Sequence, residues 1–193
     1  MDEWVKNFSI ERVHASGAKF DYEKAKWFNH EWIKKSHPER LLAPVKDLFT
    51  EKGIIINDHK KLTKIIDLVK ERCTLLTDFY EQADFFFVAP SQIDTTSILS
   101  KWNQNKNLFF NELIRSYQLT TLVKAVEFEN IFKEISAINQ LKPGELMLPF
   151  RIMLVGGKHG PAVFDIASIL GKEETIKRIE HGLSMLNLAQ KSG

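Results

Sequence analysis

The segment from Asn57 to Phe87 repeats apolar residues at the spacing of one buried helical face. The repeat follows positions i, i+3, i+4 and i+7, which is typical of an amphipathic helix packed against a core. Asn57 or Asp58 supplies a side-chain cap at its start. The pattern therefore predicts one long helix. The residues on its buried face would be Leu62, Ile65, Ile66, Val69, Cys73, Leu76 and Tyr80.

Helical spacing recurs along most of the remaining chain. Residues 22–36, 38–53, 107–119, 121–141 and 173–186 follow it. In the first of these segments, Trp27, Phe28, Trp32 and Ile33 lie within helical reach of one another. His37-Pro38 separates the first two helices, and Gly53 ends the second. Lys142–Gly144 is predicted to be a loop.

Strand signals are weak by comparison. Only GIIIN, at 53–57, and FFFVAP, at 85–90, compete with the helical pattern. The sequence therefore predicts an all-α protein, with the best domain boundary near Pro90–Thr96.

Composition limits the function classes. The 193 residues hold 27 Lys and Arg against 25 Asp and Glu, for a net charge of +2. This total does not by itself indicate nucleic-acid binding, so a basic site would have to arise locally. Cys73 is the single cysteine, which excludes an intrachain disulfide and a cysteine-based zinc site and favours a reducing, cytosolic setting.

Catalytic motifs are absent from this sequence. It has no HExxH, no paired CxxC and no GxSxG, and its six histidines show no metal-ligand spacing. GGKHGP, at 156–161, lacks the GxGxxG spacing, and ILGKEE, at 169–174, lacks the features of a phosphate loop. Cys73 could be a nucleophile, but its place on an apolar face favours a core residue. The residues alone favour a binding module over an enzyme.

Two arginines stand beside apolar stretches. Arg72 lies at the edge of the predicted buried face of the helix. The simplest structural interpretation is a solvated side chain or an ion pair with Asp67 or Glu71. Arg151 lies inside LPFRIML, at 148–154, so part of its stem should be buried and its guanidinium needs a partner. A carboxylate of this chain, an RNA base edge or a phosphate would each serve.

The stretch from Leu141 to Leu183, LKPGELMLPFRIMLVGGKHGPAVFDIASILGKEETIKRIEHGL, closely resembles the C-terminal end of bacterial glutamyl-tRNA synthetases. FSIERVHASGAKFDYEKAKWFNHEWI, at 8–33, is similar to the segment that follows their catalytic domain, so the resemblance covers essentially the whole chain. The HIGH-like and KMSKS-like motifs of that family do not occur here. We therefore expect the sequence to be part of a longer protein.

The resemblance implies a helical cage that binds the anticodon. Residues 1–37 would be a remnant of, or connector to, the stem-contact domain, and 38–94 and 95–193 would be two helical subdomains. The implied partner is tRNA-Glu, with no DNA or membrane, for a cytoplasmic monomer. This part would need no cofactor and no metal, and would be inactive alone. ATP and Mg²⁺ would act in the absent catalytic domain, where glutamate is joined to tRNA.

Site residues follow from the same resemblance. Arg72 matches the position where an arginine reads the third anticodon base and favours C over G. Leu148 and Arg151 match positions that line the anticodon pocket. The matching loop, whose backbone and apolar groups meet the unpaired anticodon bases, contains Gly160, Pro161 and Val163. Some relatives carry a hydroxyl residue at position 160, so a side-chain hydrogen bond would be lost here.

Two further residues are predicted separately from the resemblance. Lys158 and His159 lie in the same loop and could contact phosphates.

Three rival interpretations remain open. A glutaminyl-type fragment would need β-barrel domains, for which this sequence lacks alternating strands. A protein-interaction module would use aromatic residues as its docking face, although core packing or contact with a catalytic domain explains them more simply. Those aromatic residues are Trp4, Phe8, Trp27 and Trp32. An isolated enzyme with an unrecognised site would show aminoacylation by this chain alone.

Overall fold

The computed structural model describes residues 20–192, and every regular element in this range is helical. The predicted all-α class is therefore confirmed for the described part of the chain, while Trp4 and Phe8 lie outside it. The α-helices are α1 Tyr22–Lys35, α2 Pro38–Glu51, α3 His59–Val69, α4 Asp78–Ala83, α5 Thr96–Leu99, α6 Gln104–Leu119, α7 Ala125–Ile138, α8 Pro143–Val155, α9 Val163–Leu170 and α10 Lys172–Ser192. Short 3₁₀ turns cover Lys70–Arg72 and Asp84–Phe86.

Several helix ends lie where the sequence places them. The side chain of Asp58 accepts a hydrogen bond from the Lys61 N–H at 2.9 Å, which caps α3 as predicted. His37-Pro38 separates α1 from α2, with the proline at the first helical position. Gly53 follows the end of α2 with φ +80°, a conformation that favours glycine.

The prediction of one helix over 57–87 is wrong. Helix α3 ends at Val69, and Cys73 is extended. The Asp78 carboxylate accepts hydrogen bonds from the backbone N–H groups of Thr74 and Leu75, at 2.7 and 2.9 Å. These local side-chain bonds compete with helical hydrogen bonds and hold the turn between α3 and α4. Leu76, which the pattern placed on the buried face, is exposed.

Two other local expectations are corrected. Pro143 and Gly144, predicted to lie in a loop, form the first turn of α8, because a proline without an N–H fits the first helical position. On α1, only Ile33 is buried, whereas Trp27, Phe28 and Trp32 remain more than half exposed. These three aromatic side chains therefore do not belong to the core of the described residues.

A cluster of phenylalanines joins three helices of the C-terminal half. The ring centroids of Phe132 on α7 and Phe150 on α8 lie 5.3 Å apart, and Phe164 on α9 lies 5.3 Å from Phe132. All three side chains are buried. Aromatic pairs at this separation stabilise packing beyond their area alone. The cluster fixes how α8 presents the residue that follows Phe150, which is Arg151.

The two halves meet along α9 and share one continuous core. Helix α9 packs on α7, α8 and α10, and also on α3 and the Asp84–Phe86 turn of the N-terminal half. The non-helical segment 87–95 is tied to the end of α8 by the Asp94 N–H, which donates to the Gly156 carbonyl at 2.8 Å. The division into 38–94 and 95–193 stays a prediction.

A buried arginine connects α10 to α8. Arg178 is 4% exposed; its Nη1 donates to the Leu154 carbonyl at 2.6 Å, and its Nε donates to Glu174 at 2.7 Å. The contact holds the C-terminal end of α8, which leads into the predicted anticodon-binding loop. No helix of the described residues is long and apolar enough to cross a membrane.

Candidate nucleic-acid interface

Arg72 projects from a turn that α1 holds in place. His30 Nδ1 lies 2.9 Å from the Cys73 carbonyl oxygen, so this nitrogen carries the hydrogen and donates. The side-chain amide of Asn29 donates to the Thr74 carbonyl at 2.5 Å. Arg72 itself is exposed. The backbone that carries it is thus fixed from outside, while its guanidinium is free to reach a partner.

Sequence reasoning missed Asn29 and His30. Both side chains bond to backbone carbonyls more than 40 residues away along the chain. Backbone carbonyls carry no sequence identity, so no spacing rule connects these residues to the turn. The break in the predicted long helix, however, created the carbonyl acceptors that they use.

Arg151 is half-buried on α8, with its neighbours Phe150 and Ile152 in the core. Its Nη1 donates to the Pro161 carbonyl at 2.5 Å, across the loop between α8 and α9. A guanidinium carries five N–H donors, so one bond to a neutral carbonyl leaves most of its capacity and all of its charge unmatched. The in-chain carboxylate partner considered from sequence does not occur among residues 20–192.

Gly160 allows this contact to form. Its φ of +145° belongs to glycine, and a Cβ at this position would lie 3.3 Å from Arg151 Nη1. A side chain would therefore be strained and would also press on the guanidinium. Here the absence of a side chain at Gly160 is a steric requirement, in addition to the lost hydrogen bond that sequence comparison suggested.

The structure brings Arg72 and Arg151 together from the two halves of the molecule. Burial lowers the pKa of the Arg151 guanidinium, and the positive charge of Arg72 lowers it further. Within the described part of the chain, no carboxylate forms an ion pair with either arginine. The ion pair of Arg72 with Asp67 or Glu71 is therefore not formed; Asp67 pairs with Lys70 at 2.7 Å. Two positive charges that act on each other favour an anionic or electron-rich ligand near them.

The other predicted pocket residues differ in their access to a ligand. Leu148 is 37% exposed and lies one helical turn before Arg151 on α8, so it extends the same surface. Val163 is only 1% exposed, and Pro161 is also buried. The Val163 side chain packs in the core of the described residues, and the expectation that this loop meets RNA bases stays a prediction. Backbone groups of this loop remain accessible candidates.

Lys158 and His159 are both exposed beside this surface. Lys158 Nζ lies 3.8 Å from an Asp94 carboxylate oxygen, a loose pair between partly exposed groups. Such pairs contribute little to stability and exchange partners readily. Both side chains are therefore accessible to a phosphate, as the predicted contacts require, and Asp94 partly balances the charge of Lys158.

The described residues do not form a catalytic constellation. Cys73 is fully buried, and burial raises the pKa of its thiol to about 12, so it remains protonated at neutral pH. This agrees with its interpretation as a core residue. Residues 20–192 also contain no group of three His, Cys, Asp or Glu side chains that could hold a metal ion.

The described residues thus form an all-helical domain in which two arginines, one from each half, have no carboxylate partner. The family model described as Anticodon binding domain matches residues 23–183, and the chain belongs to this family. The resemblance found in the sequence is thereby confirmed at the level of the domain.

Similar proteins carry a consistent name. The Glutamate--tRNA ligase of Flavobacterium johnsoniae is 38% identical over 186 residues, and that of Porphyromonas gingivalis is 35% identical over 186 residues. Each match covers 96% of this chain and 37% of the relative. The chain thus spans a little more than a third of the length of these curated relatives.

Solved structures agree with the sequence relatives. A glutamate tRNA ligase from Elizabethkingia meningosepticum, in complex with its amino acid, superposes with a TM-score of 0.87 at 34% identity. The match covers 96% of this chain and 36% of that one. The glutamate-tRNA synthetase of Elizabethkingia anophelis gives a TM-score of 0.81 at 35% identity, over 95% and 36% of the two chains.

Proposed function

We propose that this chain binds the anticodon loop of tRNA-Glu as the anticodon-binding part of a glutamate–tRNA ligase. The observation that carries the proposal is the pair formed by Arg72 and Arg151, two arginines that have no carboxylate partner among residues 20–192. Membership of the anticodon-binding family and the names of the relatives supply the identity of the ligand.

The two arginines would act in different ways. Arg151 is preset by its bond to the Pro161 carbonyl, so its fork meets a base edge with little further ordering. Arg72 is exposed on a rigid turn and would read the third anticodon base, favouring C over G. Unpaired anticodon bases can be recognised on their Watson–Crick edges, whereas phosphate contacts with Lys158 and His159 would set position without specifying sequence.

In the whole protein, the reaction would be the ATP-dependent joining of glutamate to tRNA-Glu. This sequence contains no motif for ATP binding. The residues described here would therefore select and place the tRNA, while ATP and Mg²⁺ would act in a catalytic part of the cytoplasmic enzyme.

The exposed aromatic residues of α1 favour a protein contact at that end of the chain. Trp27, Phe28 and Trp32 are each at least 51% exposed, which is large for neighbouring aromatic side chains. This surface belongs to the outer face of α1, whereas the side chains of Asn29 and His30 hold the arginine turn. A protein contact there is therefore compatible with RNA binding at the arginine pair.

The test is a binding titration with two RNA hairpins of equal length. One carries the anticodon stem and loop of tRNA-Glu, and the other has the same stem with all three anticodon bases replaced by adenine. At moderate salt we expect clearly tighter binding of the first hairpin. Equal affinities that fall together with salt would reflect generic phosphate attraction and would contradict the proposal.

A further inference from the structure

Lys106 is a buried lysine whose ammonium has one protein hydrogen bond, to a neutral carbonyl, and no ion pair among the described residues. The residue is 6% exposed, and its Nζ donates to the Lys101 carbonyl at 2.7 Å. A lysine ammonium has three N–H donors and a full charge, and a buried charge is costly unless an opposite charge or several hydrogen bonds compensate it. In the described part of the chain, no carboxylate lies within ion-pair distance of this ammonium.

The side chain of Lys106 lines an open cavity of about 580 Å³. The cavity lies between α5, the start of α6 and the first turns of α8, and Lys101 and Leu148 also line it. Two helices thus direct their N-terminal ends toward the same space. Asn103 already accepts from the Lys106 N–H, and α8 begins with a proline, so these helix starts contribute partial positive charge rather than a set of open N–H donors.

One acidic residue, Glu145, also lines the cavity. It is exposed at the first turn of α8, where the helix dipole favours a carboxylate. Its carboxylate forms no ion pair with Lys106 in the described residues. The charged residues that line the cavity are thus two lysines and one glutamate, which leaves an excess of one positive charge.

The cavity adjoins the surface of the arginine pair. Leu148 lines the cavity and lies three residues before Arg151 on α8, a rise of about 4.5 Å along the helix. An RNA strand whose bases meet the arginines would therefore pass the cavity with a neighbouring nucleotide. The group of such a strand that matches a buried ammonium is its phosphate.

We propose that the Lys106 cavity is a binding site for one phosphate of the RNA strand beside the anticodon. This inference rests on the proposed function, because it takes the anion from the same RNA. The buried ammonium would bind the phosphate, favoured by the partial positive charge of the two helix starts, regardless of the base attached to it. The site would add affinity and salt dependence, whereas the arginines would add base preference.

The experiment uses fluorescence anisotropy with the tRNA-Glu anticodon hairpin at a series of salt concentrations. Lys106→Met keeps the length of the side chain but removes its charge, and Lys60→Met is the matched control at an exposed position in the first turn of α3. We expect Lys106→Met to weaken binding several-fold and to reduce the slope of log K against log salt by about 0.7, which corresponds to one lost contact with a single strand. Lys60→Met should leave both quantities near wild type.

Base preference separates this inference from the proposed function. Lys106→Met should weaken hairpins with C and with G at the third anticodon position equally. If the wild-type chain discriminates between them while Lys106→Met has the affinity and slope of Lys60→Met, the cavity assignment is wrong and the anticodon assignment stands. If the wild-type chain shows no anticodon preference, the proposed function fails, and this inference fails with it.

Two additional measurements cover the remaining outcomes. If Lys106→Met does not fold, Lys101→Met decides, because Lys101 is exposed and lines the same cavity; unchanged RNA affinity in that variant would overturn the inference. If Lys106→Met folds, inorganic phosphate is added to the free wild-type protein and to this variant in thermal unfolding. A phosphate-dependent rise in Tm that Lys106→Met abolishes, together with an unchanged RNA slope, would identify free phosphate as the ligand and overturn the RNA assignment.

Discussion

Gly160→Ala tests whether the loop between α8 and α9 is built around Arg151. The backbone at Gly160 has φ +145°, and the new Cβ would lie 3.3 Å from Arg151 Nη1 and 3.7 Å from Ile166 Cδ1. Holding a non-glycine residue in such a conformation costs about 1–3 kcal/mol. Displacing Nη1 would also weaken its bond to the Pro161 carbonyl, and bonds to charged groups contribute about 1.5–3 kcal/mol. We expect the free energy of unfolding to fall by about 2–4 kcal/mol.

Urea unfolding followed by circular dichroism measures this change, with Gly157→Ala as the control. Gly157 lies in the same loop, and no atom lies within 4 Å of the Cβ that an alanine would add there. This control should be neutral or gain up to about 1 kcal/mol, because alanine restricts the unfolded chain. Gly160→Ala should also weaken binding of the anticodon hairpin, whereas Gly157→Ala should not.

Either of two results would refute this reasoning. Equal unfolding midpoints for the two variants would mean that the loop does not depend on the Gly160 conformation. A destabilised but folded Gly160→Ala variant with wild-type RNA affinity would mean that the placement of Arg151 is not what the RNA requires.

Three further variants probe the surroundings of the site. His30→Ala removes the bond that anchors the Arg72 turn, so third-base preference should fall more than overall RNA affinity in the hairpin titration. Arg178→Met leaves the buried Leu154 carbonyl without its donor and should lower the free energy of unfolding by about 2 kcal/mol in urea; an unchanged midpoint would contradict this. Burial raises the pKa of the Asp84 carboxyl in the folded protein above its value in the unfolded chain. The folded state is therefore destabilised as the pH rises from the unfolded-state pKa through the folded-state pKa and the buried carboxyl loses its proton. Asp84→Asn should therefore be more stable than wild type near neutral pH, with the difference shrinking in acid; a constant difference in urea midpoint would argue against it.

Periodicity predicted the helical class and most helices, because each helix buries one face against the shared core. It failed where a single side chain redirected the backbone. Helix α3 ends at Val69, and Asp78 accepts two N–H groups in the turn that follows, although the apolar spacing continues past both. A periodic pattern reports which residues are apolar, and it does not report whether a local hydrogen bond interrupts the helix between them.

The sequence indicated which residues belong to the candidate site, but it did not indicate that they lie near one another in the fold. The local sequence indicated that Arg151 is partly buried, and the family resemblance selected Arg72. Their proximity depends on the packing of α9 against α3, which no local pattern specifies. The burial of Val163 was also missed, because a valine at a helix start has the same spacing whether it faces the core or a ligand. The buried charge of Lys106 had no sequence signal, since lysine is ordinarily exposed.

The central claim is that the arginine pair reads the anticodon, and one titration tests it most directly. Wild-type chain and Arg72→Gln are each titrated with tRNA-Glu transcripts that differ only in the third anticodon base, C against G. We predict that wild type prefers C by about 1–3 kcal/mol, by analogy with base contacts in duplex readout, and that Arg72→Gln loses this preference while still binding both transcripts. Equal binding of C and G by the wild-type chain, or a preference for C that survives in Arg72→Gln, would contradict the assignment of Arg72.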